Sequence, residues 1–508
     1  MKTTKQFCHK ILANIGTKNA KAFTNTVISL SSYEKAQTVV QLSESPLFHH
    51  QYSSLRDGIA GVGSTAEEQR ATMKLSRQLV LSELDFPEDK RVLLQTDASS
   101  IIKAHSRCLP DRQYVKINNN VIRKNQPISI GYPVSLVNLS PEVGKWSIPI
   151  DVRRVDSSQS AAECAVEQIE EIISEEPLSN CFIVNTLDTG YGNPNYLCPV
   201  YEHKNLANLV RFTHGRKVWT PKPAPTVKET LADKKKQGAP GVYGDKYYLT
   251  ACSDTKTYYR KGVAYEVDRT SIFDMPEDDY VDLVGKTSKN RPLNIQVWRW
   301  NNLLIRTKDG KNMKDKPFDL VASYVADQKT GELVFKKPMF VVIHGQRKDE
   351  ISTKEAFEGY RKRYDIEPSI KFAKRKLLLD KYQTPSQQHF DNWLVVVMMS
   401  FWLLFHSRKE IEYQPKKWQQ YTSVNQQAAE SSQADTKVEL KVDLTPSQAR
   451  QGAEAFFLTL NPTPFLPKTS NKGKGREKDT KFTQRTRHPV VKKSQDKTKI
   501  KIKIEKIE

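Results

Sequence analysis

Cysteine is scarce in this chain. There are six in 508 residues (Cys8, Cys108, Cys164, Cys181, Cys198 and Cys252), and none stands in a C-x-x-C spacing. That argues against a disulfide framework or a zinc site in so large a protein, and for free thiols in a reducing compartment. Long apolar runs are also lacking. The longest, Trp393–Phe405, is too short to span a bilayer and has no signal-peptide flanks, so it is expected to be a buried core helix packed on a sheet, beginning near Pro385 and Ser386. Acidic residues are outnumbered, 58 against 80 Lys and Arg, for a formal charge of +22 and a pI near 9.5. A balance of this sign points to a polyanionic partner, nucleic acid ahead of membrane lipid, although ribosomal and membrane-surface proteins share it. The length calls for two to four structural units.

What is present begins with Tyr360-Arg-Lys-Arg-Tyr-Asp-Ile-Glu-Pro-Ser-Ile-Lys-Phe-Ala-Lys374. On one ideal helix, Tyr360, Arg363, Glu367 and Lys374 would fall within a stripe about 60° wide, with Ile366, Ile370 and Leu377 beside it facing a core. A carboxylate flanked by two cations and a phenol suits a site that handles metal and phosphate together. A solvated helix face with i, i+4 charge pairs has the same pattern. Pro368, directly after Glu367, predicts a kink with a second helical segment starting near it.

Two upstream runs add carboxylates. Val92-Leu-Leu-Gln-Thr-Asp97 and Cys181-Phe-Ile-Val-Asn-Thr-Leu-Asp188 are apolar, β-prone stretches, each ending in an aspartate followed by small or glycine-rich sequence. Each predicts a buried strand that delivers a carboxylate to its end. An aspartate there is commonly only a turn former. Three carboxylates from two strands and a helix would nevertheless suit hard divalent cations, which favour oxygen ligands and keep positions open for phosphate.

These residues resemble the DDE transposases of the bacterial insertion-sequence class, whose signature is Y-(2)-R-(3)-E-(6)-K. Tyr360, Arg363, Glu367 and Lys374 match every spacing, and Asp97 and Asp188 take the positions of the two family aspartates. The resemblance spans roughly residues 85–405. It implies that Asp97, Asp188 and Glu367 are catalytic and hold two Mg²⁺, with Mn²⁺ as a substitute. Tyr360, Arg363 and Lys374 would hold DNA phosphates. The implied activity is cutting the ends of a mobile element and joining them to target DNA. The implied partners are double-stranded DNA, both terminal repeats and target, and a second copy of the chain on paired ends, with no membrane. The implied location is the cytoplasm, on the nucleoid of a bacterial host. Two other classes stay open: a structure-specific nuclease on the same fold, and an inactive or recruited transposase-derived DNA-binding protein.

The implied fold class is α/β: a ribonuclease-H-like core interrupted by a β-rich insertion, with a helical N-terminal region and a disordered basic C-terminal tail. The 91 residues from Asp97 to Asp188 hold strand-like runs at 127–137 and 146–152 and a helical pattern at 160–174. The 179 residues from Asp188 to Glu367 are too many for one loop. Runs at 247–251, 257–260, 294–300 and 304–307 supply β content there, and 333–343 predicts a return strand. Expected boundaries are 1–85 for a helical region that could bind DNA ends, without a helix-turn-helix fingerprint; 86–215 and 336–410 for the two core parts; 216–335 for the insertion; 411–467 for a linker with a short helix near 445–459; and 468–508 for the tail, which would bind phosphates or simply solubilise. Arg216 and Lys217 could grip the DNA backbone. Trp298 and Trp300, on either side of Arg299, would share one strand face. A core is the commoner fate of such rings, while the resemblance implies that Trp298 stacks an extruded base.

Overall fold

The computed structural model describes residues 4–8, 19–84, 86, 91–116, 128–140, 146–222, 242–260, 263–287, 290–307, 313–413, 444–460 and 484–491. Its strands are β1 (Arg91–Ile102), β2 (Gln113–Lys116), β3 (Ile128–Ser140), β4 (Ile148–Arg154), β5 (Phe182–Leu187), β6 (Leu206–Phe212), β7 (Lys217–Pro221), β8 (Tyr243–Tyr248), β9 (Asp254–Arg260), β10 (Val263–Arg269), β11 (Asp279–Lys286), β12 (Pro292–Leu303), β13 (Phe318–Asp327) and β14 (Met339–His344). Its principal helices are α1 (Ala20–Ser32), α2 (Tyr52–Ala60), α3 (Ala66–Leu81), α4 (Ala161–Ser174), α5 (Pro194–Val200), α6 (Thr353–Lys362), α7 (Ile366–Arg375), α8 (Gln387–Ser407) and α9 (Pro446–Leu460). Helices and a mixed sheet together make the expected α/β class. The chain forms two compact units, Phe86–Asp97 with Ala161–Tyr364, and Met1–Asp85 with Ala98–Ser160 and Asp365–Glu508.

The first of these units is built on a sheet in which β1, β5 and β6 run parallel, an arrangement that buries strands on both faces. β14 joins β6 antiparallel, and β13, β12 and β11 follow, each antiparallel to its neighbour. The β-rich sequence between 216 and 335 therefore divides. Its last three strands extend the sheet, while β7–β8 and β9–β10 form separate two-stranded ribbons. The strands β6, β11 and β13 are not evident from sequence patterning. Residues 304–307 are not a strand; Leu304 makes only an isolated bridge to Trp219. The return strand begins at Met339 rather than 333. α6 buries Ala356, Phe357 and Tyr360 against Leu209, Val297, Val321 and Val341 of the sheet.

A buried ionic cluster fixes the start of α6. Asp319 on β13, fully buried, receives the Arg299 guanidinium and, at 2.9 Å, the Lys348 ammonium. Arg299 also donates to the carbonyl of Ile351 at 2.6 Å. One residue later, Ser352 and Glu355 close a reciprocal capping box on α6. Arg299 is thus an internal strut between two tryptophans.

The other unit surrounds α8. That helix has 21 residues, eight more than its apolar run, and is long and apolar enough to cross a membrane, but 89% of its apolar window is buried inside the fold. A helix apolar all round is one packed on every side. Around it lie α1, α2, α3, α9 and β4. Two of its buried polar side chains are satisfied by backbone carbonyls: Asn392 donates to those of Ile59 and Gly63 at 3.0 and 2.9 Å, and the Trp402 indole to that of Pro149 at 2.7 Å. Ser386 caps its first turn. β3 pairs antiparallel with β2 and β4, and neighbours the second half of β1. The expected N-terminal helices at 20–30 and 66–84 are α1 and α3. Most of the one expected at 6–15 lies outside the described residues, as do the connector 223–241 and most of the linker and tail. Within the tail, residues 484–491 run beside the turn before β2, where the Val491 amide donates to the Arg112 carbonyl at 2.7 Å.

Two stability tests follow. Asp319→Ala leaves Arg299 and Lys348 buried without their carboxylate, and should cost about 3–5 kcal/mol in urea unfolding; a loss below about 1 kcal/mol would contradict the strut. His344, fully buried on β14, has its pKa lowered from 6.5 to about 3 by burial, with the Lys316 charge adding to the effect. The unfolded imidazole takes up a proton near pH 6.5 and the folded one does not. The stability it supports is therefore complete above that pH and falls as pH drops toward 3, by up to about 1.4 kcal/mol per pH unit. His344→Leu should flatten that part of the stability curve, read as urea midpoints from pH 7 downward.

Candidate active site

Register sets the geometry. Thr96 of β1 pairs with Leu187 of β5, so the next residues, Asp97 and Asp188, stand at the same level on adjacent parallel strands. Asp188 ends its strand and starts a 3-10 turn, Thr189–Tyr191. Beneath the two aspartates the strands are bound by a buried polar relay. The Thr96 hydroxyl donates to Asn185 Oδ1 (2.9 Å), Asn185 Nδ2 to the Tyr196 hydroxyl (2.9 Å), and that hydroxyl to Asn208 Oδ1 (2.8 Å). Thr186 donates to the Leu94 carbonyl at 3.1 Å. These bonds cross from β1 to β5, and through Tyr196 of α5 to β6, and limit the freedom of the strand ends.

The cation facing the aspartates is Arg363. Its side chain is 4% exposed, and its Nη2 lies 3.2 Å from Asp97 Oδ2 and 3.8 Å from Asp188 Oδ2. It is delivered there by the end of α6. Gln95 of β1 donates through Nε2 to the Lys362 carbonyl at 2.6 Å, satisfying a terminal acceptor of the helix. The chain then tightens into a 3-10 turn, Arg363–Asp365, before α7 begins at Ile366. The one stripe drawn from the 100° spacing is therefore carried by two helices; the second begins at Ile366, close to Pro368 where a second segment is expected, and the 3-10 turn Arg363–Asp365 separates them. Pro368 sits third in α7, where a backbone N–H would have no intrahelical acceptor.

The signature residues occupy distinct places. Tyr360, on α6, is fully buried, and its hydroxyl meets no hydrogen-bond partner among the described residues. Burial pushes its pKa up and the Asp188 charge adds to this, while Arg363 opposes it. Glu367 is exposed in the first turn of α7, and belongs, with Lys374, to the unit built around α8. In that unit Ile366, Ile370 and Leu377 are buried, and Ser369 bonds the Ser147 carbonyl at 2.9 Å. Lys374 donates to the Ser100 carbonyl, three residues past Asp97 on β1, at 2.8 Å, and burial lowers its pKa.

Arg216 follows the carboxyl end of β6 and lies over the Phe212 ring at 4.5 Å, half-buried, with its pKa lowered by that burial. The same ring packs against Gly192, at the end of the turn that Asp188 opens; a Cβ there would come within 2.9 Å of it. Lys217 is exposed, above the Tyr248 ring. Trp298 is half-buried among Phe273, Tyr280 and Tyr324, and the neighbouring Trp300 is buried, donating to the Met275 carbonyl at 3.0 Å.

The structure thus brings together Asp97, Asp188, Arg363 and Tyr360. Among the described residues, no three His, Cys, Asp or Glu side chains group as a metal site. The donor set still suits a hard divalent cation: two carboxylates face one buried positive charge, and Mg²⁺ is commonly held by one or two carboxylates plus substrate phosphate. Sequence reasoning missed Gln95 and the Thr96–Asn185–Asn208 relay. The available signal was polar residues in the middle of runs otherwise apolar enough to be fully buried.

No curated protein matches the chain in a sequence comparison. The family model described as DDE superfamily endonuclease matches residues 11–267, which takes in Asp97, Asp188, Arg216 and Lys217 and stops before the segment from Tyr360 to Lys374. Enzymes of this kind are nuclease- or transposase-like, act on DNA and generally use divalent metal ions. With just over half its length matched, including both strand-end aspartates, the chain belongs to the DDE superfamily endonucleases.

Proposed function

We propose that the protein is a transposase that cuts the ends of a DNA element and joins them to target DNA by phosphoryl transfer. The observation that carries this reading is the pair Asp97 and Asp188, level on parallel strands and held beneath one buried guanidinium. Asp97, Asp188 and Glu367 would hold two Mg²⁺, with Mn²⁺ as a substitute. Bound there, the ions would supply an activated water or 3′-hydroxyl and stabilise the leaving oxygen. No covalent protein–DNA bond is required.

The chain's own residues position the substrate. Arg363 keeps the two carboxylates together in the free protein and offers guanidinium donors to a phosphate arriving beside them, the geometry arginine suits best. The Tyr360 hydroxyl, buried and without an acceptor among the described residues, would donate to a phosphate oxygen. Lys374 braces β1 beyond Asp97 and adds positive charge near the DNA. Arg216, fixed on Phe212, and Lys217 would hold the backbone of the duplex, and Trp298 would offer its free edge to an unstacked base. The active form would be a dimer on paired ends, in the cytoplasm of a bacterial host and on its nucleoid.

The decisive experiment is Mg²⁺-dependent cleavage of DNA carrying the gene's own flanking ends. Asp188→Asn and Glu367→Gln should each lower cleavage at least about a hundredfold, more than loss of an outer-shell partner costs, while binding DNA as the parent does. Undiminished cleavage by Asp188→Asn would refute the catalytic assignment. Cleavage without joined product would leave a nuclease, and tight binding without cleavage by any form an inactive relative.

Tyr360→Phe separates function from folding. Removing a buried hydroxyl that has no protein partner should leave stability unchanged or raise it by up to about 1 kcal/mol. Cleavage should nonetheless fall about tenfold. Cleavage equal to the parent's would remove Tyr360 from the phosphate-binding set.

A further inference from the structure

Outside the aspartate site, the ribbons β7–β8 and β9–β10 gather cations in an unusual way. Three of them, Lys217, Lys246 and Arg269, lie over the one buried ring of Tyr248, at 5.3, 5.3 and 5.8 Å from its centroid. Arg269 is paired with Asp254, its Nε 2.6 Å from Oδ1. Lys217 and Lys246 are exposed, and among the described residues neither has a carboxylate within ion-pair distance. The ring's π-face offsets part of the repulsion among three like charges. Asp254 answers Arg269, and Lys217 and Lys246 are left to an outside anion.

The ribbon that continues from Arg269 has two chemically different faces. The antiparallel register sets Lys256 opposite Val267 and Tyr258 opposite Tyr265, and between them Thr255 opposite Asp268 and Thr257 opposite Glu266. Strand alternation therefore puts Lys256 and the two tyrosines on one face, together with the Asp254–Arg269 pair, and Asp268 and Glu266 on the other. On the first face the Tyr258 and Tyr265 rings stack at 5.8 Å, with the Lys256 ammonium 5.7 Å from the Tyr258 centroid. Tyr265 is 45% exposed. Two isolated strands are marginal in water, and this pair exposes aromatic rings instead of packing them. A ribbon of two strands is also a shape that B-DNA's major groove admits.

We infer that β7–β10 form a binding surface for duplex DNA, with Lys217, Lys246 and Lys256 taking backbone phosphates and the Tyr258–Tyr265 face lying along the duplex. DNA is favoured over a protein partner by two observations. Lys217, Lys246 and Lys256 have no carboxylate within ion-pair distance among the described residues, and the surface leaves the sheet from the carboxyl end of β6, the strand beside β5, whose own carboxyl end leads into Asp188. The inference rests on the reading that the protein acts on DNA, and extends the DNA-binding surface well beyond the carboxylates.

The test is binding of a fluorescein-labelled duplex of random sequence to the full-length protein across a salt series. Lys246→Ala combined with Lys256→Ala should reduce the slope of log K against log[salt] by about two, roughly 0.9 for each phosphate no longer neutralised, and weaken binding at least about tenfold near 0.1 M salt. Tyr265→Ala should weaken binding with little change in slope. Glu266→Gln, on the opposite face, should bind as the parent does or slightly tighter. Each variant is to be compared at an unfolding midpoint equal to the parent's. A parent that binds while the double-lysine variant matches its slope and affinity overturns the surface and leaves the proposed function standing. A parent that binds no DNA removes both. If the tyrosine variant instead dissociates a dimer in sedimentation while DNA binding is unchanged, the ribbon serves a second copy of the chain and the inference fails.

Discussion

Two carboxylates at the same level of adjacent parallel strands repel one another, and the fold keeps them there because Arg363 is buried against both. At an effective dielectric constant near 20, unit charges about 4 Å apart interact with roughly 4 kcal/mol, so arrangement decides the sign of the local energy. Burying the guanidinium alone would be costly, and the aspartates alone would repel one another. Together they satisfy each other, and Asp188, 39% exposed, still presents oxygen to the outside. The protein's own charges therefore hold the pair in place.

Much of this unit serves to bring that one side chain into position. Asp319 holds Arg299 and Lys348, Arg299 holds the Ile351 carbonyl, and Ser352 then caps α6. The helix runs across the sheet with Phe357 and Tyr360 in the core, and Gln95 takes its last carbonyl. Arg363 emerges from this sequence of constraints already facing Asp97. An error of one residue anywhere along it would turn α6 by about 100° and carry the guanidinium away.

How legible this was from sequence depended on where the information lay. β1, β5 and α8 are runs whose own composition demands burial, and reading them required nothing beyond the chain. The aspartates at the strand ends were legible for the same reason. β6 and β13 were not, because each carries buried polar residues, Asn208 and Asp319, that look like surface until Tyr196 and Arg299 are seen to meet them. The break after Lys362 was equally hidden. Local periodicity runs through it without interruption, and only Gln95, more than 260 residues upstream, marks the place. Pro368 marks the start of the second helix to within two residues, and in that first turn a proline costs nothing that the helix would otherwise have had.

The same distinction explains Trp298, Arg299 and Trp300. Alternation correctly places both indoles on one face, and Phe273 packs edge-on against each at 5.4 Å. Alternation also sends Arg299 to the other face, and a charged residue in a strand would ordinarily be taken as solvated. Here that face is the inner one, covered by α6, and a fully buried aspartate answers the charge. Among the described residues, Lys217 on β7, Lys246 on β8 and Lys256 on β9 have no such answer, and the net charge of +22 locates none of them. Whether a basic residue supports the fold or serves a ligand is decided by its nearest carboxylate, a property of the tertiary structure alone.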